Sequence, residues 1–247
     1  MELNSSTLLV VVCLLAAAFM KGATGMGFPL IATPILTLLL DIRSAVVVLI
    51  VPSMLMDITQ ISRGVFPYHL LKRLFGFVLL GAIGAYIGTG FLVTLPLWVL
   101  NLCLGVMVLV FVAINVLQPE LQIPPRAEKY LSPCVGFAAG FLNGMTNVSG
   151  PLLAMYFYSL KLPKTEFVKA VTMIFFILKC GQILALSTWN QFSWPLFQLS
   201  LLLIVLLCAG FYAGLKTQDR IDQRAFNRGL LALLFAIGAT LIVRALI

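Results

Sequence analysis

Two charged residues sit inside stretches of this chain that are otherwise apolar. Asp57 lies in the segment running from Ser44 to Ser62, with Gln60 three residues on. Lys179 lies in the segment from Phe167 to Leu186, with Gln182 three residues on. An ionised side chain at the centre of an apolar helix costs about 2.5–3.5 kcal/mol on insertion scales, so it must face protein or water. Two chemistries are open to Lys179: attraction of an anionic substrate, or a fixed ion pair with Asp57. Asp57 is either that fixed partner or the carrier of a coupling proton. Gln60 and Gln182 are placed to hydrogen-bond a substrate, or to bond neighbouring helices to each other.

A second group of polar residues gathers at two breaks. Gly22-Ala-Thr-Gly-Met-Gly-Phe-Pro-Leu30 interrupts the apolar run from Leu8 to Leu40, and Lys21 stands directly before it. Gly144-Met-Thr-Asn-Val-Ser-Gly-Pro-Leu152 says the same again at a shift of 144 − 22 = 122 residues. At that shift Thr24 meets Thr146 and Pro29 meets Pro151. Glycines such as Gly25 and Gly27 let the backbone bend and leave N–H groups free, which favours an anion at the helix N-termini beyond the break. Thr24, Asn143, Thr146, Asn147 and Ser149 add hydroxyl and amide donors, and Lys21 adds a cation. The plainer reading is that Gly and Pro only permit a tight bend between packed limbs. Broken apolar segments at matching places in two halves point instead to the binding site of a secondary transporter.

The composition supplies the setting. The chain is 62% hydrophobic and 10% charged, with mean hydropathy +1.11, where a soluble domain carries charge at about a quarter of positions. Long apolar runs recur along the whole length, and no soluble domain is left once they are removed. The net charge of +8 resides mostly in short loops, where it orients a membrane protein rather than binding nucleic acid. Met1 to Ser6 lacks the basic start of a signal peptide. The five cysteines lie in apolar runs without Cys-x-x-Cys spacing and read as free thiols. A single histidine, His69, makes a zinc or haem site an unsuitable reading. No metal and no cofactor is expected, and no phosphate-binding loop is present to serve ATP.

The elements that must position these residues follow from the same pattern. Leu8 to Met20 and Leu30 to Leu40 form two short limbs around the first break, and Leu131 to Leu160 repeats the arrangement around the second. Full spans are expected at Ser44–Ser62, Leu74–Thr94, Pro96–Leu117, Phe167–Leu186, Leu196–Leu215 and Gly229–Ile247. The Pro-rich polar stretch from Gln118 divides the chain into a first repeat (1–117), a linker (118–130) and a second repeat (131–247). The shift of 122 also pairs Asp57 with Lys179 and Gln60 with Gln182. After a four-residue gap it becomes 210 − 84 = 126, pairing Gly84 with Gly210, Tyr86 with Tyr212 and Gly88 with Gly214. Basic loops at 63–73, 161–169 and 216–228 belong in the cytoplasm, and uncharged loops at 187–195 and near Pro96 outside. Loop 63–73 then has its repeat mate, 187–195, on the other side, and so does loop 216–228, whose mate is near Pro96. The expected fold is an all-α integral membrane protein of two inverted repeats, each a broken or re-entrant helical hairpin plus three transmembrane helices. The two tips are expected to meet near the midplane. The small-residue faces Gly84-x-x-x-Gly88, Gly210-x-x-x-Gly214 and Gly136-x-x-x-Gly140-x-x-x-Gly144 read as helix packing.

Gly25-Met-Gly-Phe-Pro-Leu-Ile-Ala-Thr-Pro34, its second copy and the spans that follow resemble the TauE/SafE family of bacterial anion exporters. The resemblance covers nearly the whole chain. It implies a multi-pass inner-membrane permease for sulfite, sulfonates or related small anions. The family's tip is usually richer in glycine; here Phe28 and Pro29 stand in the first copy, and Asn147, Ser149 and Pro151 in the second. Together with the residues above, this points to a secondary transporter, an exporter working by alternating access around the two tips. Its partners would be a small anionic substrate, the lipid bilayer and, through Asp57, protons as a candidate coupling ion. The alternative is an anion channel. An intramembrane serine protease is disfavoured, because Ser149 has no histidine in a span to activate it, so no enzyme is expected.

Overall fold

The computed structural model describes residues 5–63, 68–117, 125–160, 162–217 and 223–246. The linker's 118–124, Lys161 and Arg220 lie outside them, as do the side chains of His69, Lys164, Arg224 and Arg228. Among the described residues all regular structure is helical: α1 (Ser5–Thr24), α2 (Phe28–Leu36), α3 (Ile42–Ile61), α4 (Tyr68–Arg73), α5 (Phe75–Thr94), α6 (Leu97–Leu117), α7 (Pro125–Thr146), α8 (Gly150–Ser159), α9 (Lys164–Thr188), α10 (Trp194–Thr217) and α11 (Gln223–Leu246). Helices satisfy every backbone group within one segment, which a hydrocarbon solvent requires. α3, α5, α6, α9 and α10 are long and apolar enough to cross a membrane. With the family identified below, they make this a multi-pass membrane protein.

The limbs around the two breaks are unequal, which corrects the expectation of two short ones. α1 has 20 residues and α7 has 22, about 30–33 Å each and long enough for the hydrocarbon core. α2 has nine and α8 ten, about 15 Å or less. Hydropathy alone ends the first limb at Met20. The helix continues through Lys21 because that side chain is buried against protein and need not face lipid.

Both breaks are built alike. Gly25 and Gly27 have φ of +83° and +96°, and Asn147 has φ of +61°; left-handed backbone suits Gly and is tolerated by Asn. At the shift of 122, Asn147 is the counterpart of Gly25. The hydroxyl of Thr24 donates to the Met20 carbonyl (2.9 Å) and accepts from the Met26 N–H (3.3 Å). Thr146 makes the same two bonds, to Leu142 (2.9 Å) and from Val148 (3.3 Å). A proline near the start of each short helix gives up an N–H that would have had no helical partner.

The halves do not pack as separate bodies. α5 of the first half lies along α7 of the second, α10 of the second lies along α1 of the first, and α6 meets α11. One apolar core therefore joins Leu14, Ala18, Ile31 and Val46 to Leu207, Phe211 and Leu241. The two cross-half seams match residue by residue. A Cβ on Gly84 or Gly88 would strike the carbonyl oxygens of Phe137 and Phe141. Their counterparts Gly210 and Gly214 would strike those of Leu15 and Phe19, and 137 − 15 and 141 − 19 are both 122. Gly144 faces Ala85 and Thr89 as Gly22 faces Phe211 and Leu215. The glycine faces read from sequence as packing surfaces are therefore close backbone contacts.

Candidate functional site

α1, α3 and α9 bring three charged side chains to one point inside the protein. Lys21 Nζ donates to Asp57 Oδ1 at 2.5 Å, and Lys179 Nζ lies 3.4 Å from Asp57 Oδ2. Lys21 also donates to the Gly25 carbonyl at 2.9 Å, which ties the cluster to the first break. Both ammonium groups stand 5.0 Å from the ring centroid of Phe175, close enough for cation–π attraction. Lys21 is 1% exposed, and Asp57 and Lys179 are 0%. They are the only buried charged side chains among the described residues. With all three groups ionised, two lysines against one carboxylate leave one positive charge in excess.

Uncharged polar groups gather at both breaks on either side of this cluster along α9. Thr172 donates to the Gly25 carbonyl at 3.4 Å, and Gln60 Nε2 lies 3.4 Å from the position a Cβ on Gly25 would take. On the other side Gln182 Nε2 donates to the carbonyls of Asn143 (3.2 Å) and Gly144 (3.3 Å). Ser149 donates to Asn143 Oδ1 at 3.3 Å. Asn147 Nδ2 reaches Thr33 of α2 at 3.4 Å and so links the two broken segments. Lys179 Nζ, Asn143 Nδ2 and Ser53 Oγ are buried donors without a hydrogen-bond acceptor, and Gln60 Oε1, Asn147 Oδ1 and Gln182 Oε1 are buried acceptors without a donor. Buried polar groups are nearly always paired, so these open ones call for an explanation.

The two breaks are held at different turns of α9, the first at Thr172 and the second at Gln182. Those anchors are 182 − 172 = 10 residues apart, about 15 Å along the helix, with Lys179 between them. Asn147 of the second break reaches Thr33 of α2.

Of the residues read from sequence, Lys21, Gly25, Asp57 and Lys179 come together in one cluster, while Asn143, Ser149 and Gln182 are bonded to one another at the second break and Asn147 to Thr33. Thr24 and Thr146 spend their hydroxyls on the bends, and Gly27 serves as the left-handed residue opening α2. The sequence reading paired Asp57 with Lys179 and missed the shorter contact to Lys21. It also missed Phe175, whose signal was available: it lies four residues before Lys179, on the same helix face. Thr33, Ser53 and Thr172 carried no signal beyond being polar in apolar helices.

A bundle of apolar helices closing over a charged cluster beside two broken segments defines a polytopic membrane protein of the transporter class. A family model described as "Sulfite exporter TauE/SafE" matches residues 9–241, and the chain belongs to that family. No curated protein and no solved structure matches the chain.

Proposed function

We propose that this protein is a secondary transporter that exports small anions, sulfite or organosulfonates, across the inner membrane. The observation that carries the reading is the buried cluster of two lysines and one carboxylate beside the first break. An uncompensated charge in such a place is costly unless a partner arrives, and an anion held by Lys179 is such a partner. Gln60, Asn143, Asn147, Ser149 and Gln182 supply hydrogen-bonding groups around it, and the short helices α2 and α8 begin nearby.

The repeats are inverted in this reading, because the basic loops of one half correspond to uncharged loops of the other. Alternating access moves α3 and α9, which carry Asp57 and Lys179, relative to the glycine seams that fix α1 to α10 and α5 to α7. Asp57 is the candidate proton carrier, in a step other than the anion-bound one, in which its carboxylate stays paired with Lys21. The complete burial of the cluster favours a carrier over an open anion channel.

The test is thermal stability of the purified protein against sulfite, sulfoacetate, taurine, sulfate, acetate and fluoride, with Lys179→Ala alongside. A ligand that binds only the folded state at a hundred times its Kd stabilises by about 2.7 kcal/mol. A sulfur oxyanion should raise the melting temperature of the native protein and leave the variant unmoved. An equal response in both, or none in either, removes Lys179 from the site. In reconstituted bilayers saturable exchange is expected, and unitary currents would establish the channel instead.

A further inference from the structure

We infer that the site selects its substrate by charge number, taking a monoanion such as a sulfonate with one negative charge and discriminating against dianions such as sulfate. The inference rests on the anion-site reading above and deepens it. The cluster holds two lysines and one carboxylate, all at most 1% exposed. One negative charge brings it to neutrality; two would leave a net negative charge in the same buried place. Burial makes that difference large, because an unbalanced buried charge is far more costly than an unbalanced exposed one. The neighbouring groups cannot correct the balance. Gln60, Gln182, Asn143, Asn147, Ser149, Ser53 and Thr172 are uncharged, and Phe175 offers the ammonium groups only the face of its ring. The arrangement also has a natural acceptor for the anion. Lys21 is engaged with Asp57 Oδ1 and the Gly25 carbonyl. Lys179 lies 3.4 Å from Oδ2 and makes no hydrogen bond with it. The incoming anion is therefore expected on Lys179, with the Lys21–Asp57 pair left in place.

The experiment measures binding of methanesulfonate, methyl sulfate and sulfate to the full-length protein in nanodiscs of neutral lipid, at fixed ionic strength. The three share a tetrahedral sulfur oxyanion, and sulfate differs from the other two in carrying a second negative charge. The two monoanions should bind at least about tenfold tighter than sulfate. In Asp57→Asn the cluster carries two positive charges, and the preference should shift to sulfate. In the double variant Lys21→Gln/Asp57→Asn the count returns to one, and the preference for monoanions should return with it. The double variant introduces no unbalanced charge, so it keeps the test decisive if Asp57→Asn does not fold. Sulfate binding as tightly as methanesulfonate, in the native protein or in the double variant, overturns the charge rule while leaving an anion site. A foldable Asp57→Asn that keeps the native preference also overturns it. If none of the three anions binds the native protein, the anion-site reading itself falls.

Discussion

Gly25 and Asn147 occupy the same bend in two copies of one structural unit, both in the left-handed region, at φ of +83° and +61°. Their surroundings set different penalties for change. A Cβ on Gly25 would come within 2.6 Å of Val168 Cγ1 and strain the backbone as well. Gly25→Ala should therefore destabilise the protein by about 2–4 kcal/mol, the sum of a left-handed alanine and an overpacked contact. Asn147→Gly removes side-chain strain but loses the bond to Thr33, so it should fall within about 1 kcal/mol of native. Thermal denaturation of both variants in one detergent checks the ranking. Equal losses would mean that the contact with Val168 and the left-handed backbone at Gly25 do not set the penalty.

The bends illustrate what could be read in advance. The duplicated Gly/Pro breaks, five of the six spans expected beyond them and the glycine faces are properties of periodicity and small residues, which survive in sequence because lipid and close helix contact demand them. The correspondence of Gly84 with Gly210 and Gly88 with Gly214 even anticipates equivalent contacts across the seams. The partner of each seam was not legible, because α5 reaches across to α7 instead of to a neighbour in its own half. The length of α1 was obscured by Lys21, whose charge reads as the end of an apolar limb until Asp57 is seen beside it. Which turn of α9 holds each break is another matter, and hydropathy carries no record of it.

Asp57 holds two lysines, and its removal should be far more damaging than removal of either. Asp57→Ala leaves two buried ammonium groups without a counter-charge, and breaking a buried pair from one side costs about 3–5 kcal/mol. Lys179→Met leaves the Lys21–Asp57 pair, which is neutral in sum. The methionine variant should accumulate in the membrane and melt near the native temperature, yet show no transport of labelled sulfite in proteoliposomes. A Lys179→Met protein that transports normally would remove the central residue of the proposed site.

The glycine seams make a paired prediction. Gly88 and Gly214 face the carbonyl oxygens of Phe141 and Phe19 at equivalent places. Gly88→Ala and Gly214→Ala should each destabilise by about 1–3 kcal/mol, as overpacking does. The seams are formed by different helices, so the effects should add to within about 0.5 kcal/mol in the double variant. Measured melting free energies of the four proteins complete the cycle. A strongly non-additive result would show that the seams shift together and that neither is a fixed contact.

The start of α3 supplies a pH prediction from a group outside the span. Asp41 accepts from the backbone N–H of Arg43 (2.9 Å) and Ser44 (3.1 Å) and from the Ser44 hydroxyl (2.6 Å). Partial burial raises its pKa, but the hydrogen bonds from Ser44 and Arg43 together outweigh this and hold it below the ordinary carboxylate value. A carboxylate whose pKa is lower in the folded state binds fewer protons there than when unfolded. Its contribution is complete above the unfolded pKa and is lost as the pH falls through the folded one. Asp41→Asn keeps a capping oxygen without the charge, whereas Asp41→Ala removes the cap and should cost about 0.5–2 kcal/mol near neutral pH. Melting curves taken from neutral pH down into the acid range should show the native protein's advantage over Asp41→Ala shrinking as the carboxylate protonates, while Asp41→Asn keeps a pH-independent offset from Asp41→Ala. An advantage of the native protein over Asp41→Ala that is flat across the acid range would mean that the cap acts through its geometry and not through its charge.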